Sequence, residues 1–203
     1  MALLPIAASA TVIDFDQGQA TYSAPNALDT YSQDGFTFSF TQSGRNSEFA
    51  NLYDTTNPNP DWDLVPDVQG ENGVGGLALI RQNSATPNLT NDAPGNGSIF
   101  MTLDAGNAFR LIGFSAIDDG DFSLFVDGSE IASLSPGEDR ATAQVSFAPT
   151  PLINVGDTVE FRYRGSGAID ALAIAPVPLP AGAVLLLSGL GGLAFMRRRR
   201  RMA

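Results

Sequence analysis

Hydrophobic and polar residues alternate over much of the chain between positions 11 and 175, and no long stretch there carries a helical period. Phe36, Phe38 and Phe40 alternate with Thr37, Ser39 and Thr41. A period of two places the three rings on one face of a half-buried strand. Comparable runs lie at 12–15, 77–80, 99–103, 109–117, 122–126, 143–147 and 159–163. Asp119-Gly120 and Asp127-Gly128 flank the run at 122–126 and predict two successive hairpin turns. About nine to eleven strands with Gly-rich turns predict an all-β domain at 11–175, an antiparallel β-sandwich of jelly-roll-like form. The alternating aromatics belong to its core rather than to a binding platform. No internal repeat of fixed spacing occurs.

Composition narrows the chemistry. The chain has 203 residues and is 43% hydrophobic, enough to bury a core, so wholesale disorder is excluded. All 11 basic residues are Arg; His, Cys and Lys are absent. Thiol and amine nucleophiles, His-based triads, zinc sites built on thiolate or imidazole, P-loops and disulfides are therefore excluded. Seventeen of the 22 acids are Asp, which favours loops and turns over helices. Residues 1–175 hold six Arg against all 22 acids, a net charge of −16, whereas the last 28 residues carry +5. So acidic a body repels phosphate backbones and excludes DNA or RNA as a partner.

The excess of positive charge sits in one run, Arg197, Arg198, Arg199, Arg200 and Arg201, directly after 20 uncharged residues at 177–196. At ~1.5 Å per residue such a segment spans roughly 30 Å of hydrocarbon. Its proline-free part, 181–196, predicts one C-terminal transmembrane helix, with the Arg run as its cytoplasmic stop. Gly189, Gly191 and Gly192 loosen that helix without supplying a G-x-x-x-G dimer spacing. At the other end Leu3, Leu4 and Ile6 followed by Ala8-Ser9-Ala10 match the end of a signal peptide, so 1–10 reads as a partial signal whose start lies upstream.

Val177-Pro178-Leu179-Pro180-Ala181, then an apolar segment, then a terminal Arg cluster, resembles the VPLPA-type PEP-CTERM sorting signals of exported Gram-negative bacterial proteins. The resemblance covers about 27 residues, taken here as a tail at 176–203, and implies processing by an exosortase, a membrane transpeptidase. Pro178 and Pro180 favour extended backbone, which keeps the junction open to a processing enzyme. A plain proline-bounded membrane anchor gives the same topology. A cytoplasmic body would send five Arg across the bilayer, against the positive-inside tendency, so export is expected.

Two stretches offer chemistry. The segment from Asp54 to about residue 76 shows no strand pattern, and loops of that length tend to be functional or disordered. Asp54, Asn57, Asp61 and Asp63 supply hard oxygen donors of the kind calcium prefers, although Trp62 and Val68 break the EF-hand pattern. A solvated acidic loop is the alternative. The second stretch is a set of acids at strand ends: Asp118, Asp119 and Asp121 crowd one turn, with Asp14 on the first strand and Asp170 on the last. Like charges so close repel unless a cation or water separates them, whereas Asp at turns is also commonplace.

Residues 165–170 resemble the last strand of jelly-roll carbohydrate-binding modules. That resemblance implies a structural calcium shared by first- and last-strand carboxylates, here Asp14 and Asp170. The wider pattern over 49–174 is similar to a family of secreted bacterial β-sandwich domains of unassigned function. Asn88-Leu89-Thr90 and Asn96-Gly97-Ser98 match the glycosylation sequon but read as turn residues. Together these features predict an exported, envelope-anchored, non-enzymatic module. It would first face the periplasm from the inner membrane, and after processing reach the cell surface or extracellular space. Calcium and exopolysaccharide are its candidate ligands. The alternatives are a small glycoside-active enzyme using paired carboxylates such as Asp61, Asp63 and Glu71, or a passive matrix protein.

Overall fold

The computed structural model describes residues 10–24, 27–43, 49–56, 62–82 and 95–177. The first half of the chain supplies β1 (Thr11–Ile13), β2 (Gln19–Ala24), β3 (Ala27–Gln33), β4 (Phe36–Ser43), β5 (Phe49–Asp54) and β6 (Leu77–Gln82). Then follow β7 (Asn96–Ala105), β8 (Phe109–Ile117), β9 (Asp121–Val126) and β10 (Ser129–Leu134). The last four are β11 (Thr142–Ser146), β12 (Leu152–Ile153), β13 (Thr158–Arg164) and β14 (Ala168–Pro176). One short 3₁₀ turn, Glu71–Gly73, is the only helical element among the described residues. None of their helices is long and apolar enough to cross a membrane; the predicted span at 181–196 lies outside them.

The strands form two seven-stranded antiparallel sheets. One runs β11-β8-β14-β6-β5, with β1 also pairing β14 and β12 also pairing β8; the other runs β10-β9-β13-β7-β4-β3-β2. The sheets face each other across one aromatic core, which makes the fold a β-sandwich. Phe36, Phe38 and Phe40 are all buried on β4, as their period of two requires. Across the gap Phe109 of β8 meets Phe36 edge-on at 5.6 Å and Phe38 at 6.1 Å. Phe114 of β8 meets Phe161 of β13 at 6.0 Å, also edge-on. The Tyr163 hydroxyl donates to the Leu79 carbonyl of the opposite sheet at 3.1 Å, satisfying the one polar atom its ring brings inside.

The chain makes more strands than its periodicity predicts: 14 among the described residues. Asp127 and Gly128 both have positive φ (50° and 75°) and close the β9–β10 hairpin in the expected way. Asp119-Gly120 does something else. It joins β8 in one sheet to β9 in the other, so the turn crosses between layers instead of closing a hairpin.

Phe109→Ala removes a fully buried ring that touches two others from the facing sheet. It should lower unfolding free energy by ~3–5 kcal/mol in urea denaturation, with unchanged slope.

Candidate functional site

The layer-crossing turn after β8 sits against the turn between β13 and β14, and glycine makes the approach possible. A Cβ at Gly120 would lie 1.9 Å from the Ser166 carbonyl oxygen, and one at Gly167 would lie 2.5 Å from the Ile117 oxygen. Gly165 and Gly167 also hold φ of 109° and 125°, which L side chains rarely adopt. So seated, the Ser166 hydroxyl reaches two carboxylates, Asp118 Oδ2 at 2.9 Å and Asp119 Oδ1 at 3.2 Å. Asp118 is wholly buried, and its Oδ1 has no hydrogen-bond partner. The β10–β11 connection brings Asp139 to the same place. One carboxylate oxygen from each of Asp118, Asp119 and Asp139 lies within 4.8 Å of the others. Burial pushes the Asp118 carboxyl above its usual range, against hydrogen bonds from the Ser166 hydroxyl and the Asp119 amide; the negative charges of Asp63 and Asp119 add to the rise.

Asp63 arrives on the long connection after β5, which from residue 62 onward is an ordered covering rather than a bare loop. Leu64 and Val74 are fully buried against Tyr53, Ala78, Ile80, Ile117 and Ala168, a second apolar cluster on the outer face of the β8–β14 sheet. Hydrogen bonds pin the segment: Thr55 N donates to Gly76 O at 2.7 Å, and the Gln69 side chain donates from Nε2 to Thr55 O at 2.9 Å. Arg140 clamps it from the other side, bonding Val65 O at 2.7 Å and Asp67 at 3.2 Å while lying 5.9 Å from the Trp62 ring centre. Trp62 itself is 57% exposed, so it does not pin the loop to the core.

A second group of acids gathers where β14 changes partner from β6 to β1. The register slips after Asp170, and Ala171 takes a φ of 47°. Asp170 is fully buried, with Oδ2 accepting from Gly75 N at 3.0 Å and Oδ1 from Ala171 N at 2.6 Å. Asp14 lies one residue beyond β1 and accepts from Gln33 Nε2 at 3.0 Å. Asp16 accepts from Leu77 N at 2.5 Å, an approach that leaves no room for a side chain at Gly76. Burial drives the Asp170 carboxyl up to about 7; its two amide donors oppose the rise, and the charges of Asp16 and Asp14 reinforce it.

Of the residues singled out from sequence, Asp118, Asp119 and Asp63 thus share one neighbourhood, and Asp14 and Asp170 another. Asp54 is apart from both, its Oδ1 closing a local turn onto Thr56 N at 2.9 Å and Thr56 Oγ1 at 2.5 Å. Asn57 and Asp61 lie outside the described residues, as do Pro178, Leu179, Pro180, Ala181 and Arg197 to Arg201. Val177 is the last described residue, its amide donating to Ala108 O at 2.9 Å. Asp139, Ser166 and Asp16 are absent from the sequence-derived set. Asp139 lies in a Gly-Glu-Asp-Arg turn that looks like any solvated turn, so nothing local marks it.

The Asp170 shift fixes a pH dependence. Between its ordinary value of 3.8 and about 7, the folded chain keeps a proton that the unfolded chain has released. This contribution to stability is therefore full below about pH 4 and lost as pH rises to about 7, an interval equivalent to ~4 kcal/mol at most. Unfolding measured in EDTA from pH 4 to 8 should show wild type losing stability across that window more steeply than Asp170→Asn.

Compared with models of known protein families and with curated proteins, the chain matches none.

Proposed function

We propose that this chain is an exported, cell-envelope-anchored β-sandwich module of jelly-roll-like form that binds exopolysaccharide without cleaving it. The observation that carries the binding reading is a polar cleft of about 360 Å³ on the outer face of β9, β10 and β13. Asp121, Ser123, Glu130, Ser133, Ser135 and Arg164 line it, with Leu134 as the one apolar side chain among them. Hydroxyls flanked by charges of both signs suit a ligand that is itself a dense array of hydroxyls, and suit an apolar one badly. The same sheet face continues in paired hydroxyls: Thr102 with Thr158 at 2.8 Å, Ser32 with Thr37 at 3.0 Å and Thr21 with Thr30 at 2.7 Å. Arg162, on the same strand as Arg164, lies 3.9 Å over the Phe125 ring.

The jelly-roll reading draws on the interleaved strand order, in which β13 lies between β7 and β9, and β14 between β8 and the β1–β6 pair. Export draws on charge. The Arg run stays on the cytoplasmic side of the inner membrane, the acidic sandwich faces the periplasm, and an exosortase-type transpeptidase acts at 177–181 before release to the cell surface or matrix.

In affinity electrophoresis through gels containing the host's exopolysaccharide, wild type should be retarded and release no reducing ends. Arg164→Ala combined with Asp121→Ala should weaken retardation at least ~10-fold, the scale of losing one or two charge-assisted hydrogen bonds. Unretarded wild type overturns the binding reading. Independently, alkaline phosphatase fused ahead of Val177 should be active in the periplasm; activity confined to the cytosol for a fusion partner that works only there overturns export.

A further inference from the structure

We infer that Asp118, Asp119 and Asp139 form a divalent cation site, with calcium as its ion and Asp63 supplying further negative charge beside it. Two independent observations meet here. The first is the convergence of three carboxylates from two separate connections, their oxygens within 4.8 Å of one another. The second is Asp118 Oδ1, which is buried in a fully enclosed side chain and has no hydrogen-bond partner. A buried carboxylate oxygen is ordinarily satisfied by a donor, since leaving it bare forfeits its hydration for nothing. Arg140, the residue after Asp139, is already engaged by Asp67, Val65 O and the Trp62 ring.

The donors are all carboxylates, able to bind through one oxygen or two, and Asp119 and Asp139 are exposed enough to leave room for water. Such a flexible, all-oxygen, partly hydrated set matches calcium, whereas magnesium demands a stricter octahedron. The other acidic group contrasts with it. Both oxygens of Asp170 already accept from backbone amides, so neither is left without a donor as Asp118 Oδ1 is. The site thus belongs to the layer-crossing turn, not to the first and last strands. The choice of calcium over other divalent ions rests on the extracytoplasmic placement proposed above; the site itself does not.

The purified full chain in detergent, stripped with EDTA, provides the test, with calcium chloride as the probe in calorimetric titration and thermal unfolding. Saturating calcium should raise the midpoint by roughly 5–10 °C, reversibly with EDTA. Asp119→Asn and Asp139→Asn, both exposed, should keep the EDTA-state midpoint and lose the rise, while Asp54→Asn should retain it. No heat and no rise in wild type overturn the site, as does a full rise in the Asp119→Asn/Asp139→Asn double variant. A calcium rise that both variants lose, in a protein that exopolysaccharide fails to retain, upholds the site and removes only the polysaccharide reading.

Discussion

Tyr53, Ala78, Ile80, Ile117 and Ala168 form an apolar group outside the main core, yet none is more than 3% exposed. A sheet with one wet face would place polar residues at such positions; this one is apolar on both sides. Its second face has to be covered, and the chain covers it with the connection from β5 to β6, sinking Leu64 and Val74 into the surface. That requirement organises the molecule. It fixes the path of residues 62–76, draws Asp63 toward the β8–β9 turn, aims Gly75 N at Asp170, and presses the Asn72 carbonyl onto Ser115 Oγ at 2.5 Å.

Covering the face also removes water from carboxylates at its two ends, and the fold meets the two cases differently. Asp170 keeps two amide donors and still has its proton held to about pH 7, because burial and the charges of Asp14 and Asp16 outweigh them. Asp118 has the Ser166 hydroxyl on one oxygen and only the pull of the neighbouring Asp119 amide besides, its Oδ1 unpaired, with Asp63 and Asp119 adding negative potential. Neutralisation by a proton suffices for a lone buried acid. For several acids within one ligand radius, each proton leaves the others facing it, and a multivalent ion relieves all of them together.

Much of the sandwich is legible in the sequence because its inner faces are written at period two. β4, β7, β9 and β13 each show alternating large apolar residues, and all four point them inward. The strands that escape this reading do so for physical reasons. β14 is buried along most of its length on both faces, so residues 168–176, apolar on successive positions apart from Asp170, show no alternation. β2 and β3 carry Thr, Ser, Gln and Asp on the open face, which weakens the apolar signal. Asp-Gly announces a reversal but not the layer in which the next strand lies, hence the misassigned hairpin at Asp119-Gly120. At the candidate site, Asp118 and Asp119 declare themselves by adjacency. Asp139 is joined to them only by tertiary structure, and Ser166 is a serine between glycines whose importance is the room those glycines leave.

Charge and ligand meet at one end of the sandwich. Asp121 and Arg164, cross-strand neighbours at the rim of the polar cleft, stand two residues from Asp119 and Ser166 respectively. The β8–β9 turn that carries Asp118 and Asp119, and the β13–β14 turn whose Ser166 bonds both, therefore also set the cleft's edge. Bare, the cluster concentrates at the cleft's edge part of the −16 that the body carries, and an anionic polymer approaching the cleft meets that field. Filled with a divalent ion, the cluster would lose two units of negative charge and tie the β8–β9 turn to the β10–β11 connection that carries Asp139, while Ser166 goes on linking it to the β13–β14 turn. Within the proposed function, an ion that ties the β8–β9 turn to the β10–β11 connection, whose Ser135 also lines the cleft, would act on polymer binding through the cleft's rim without touching the polymer, by removing a repulsion and the freedom of the residues that must close around it.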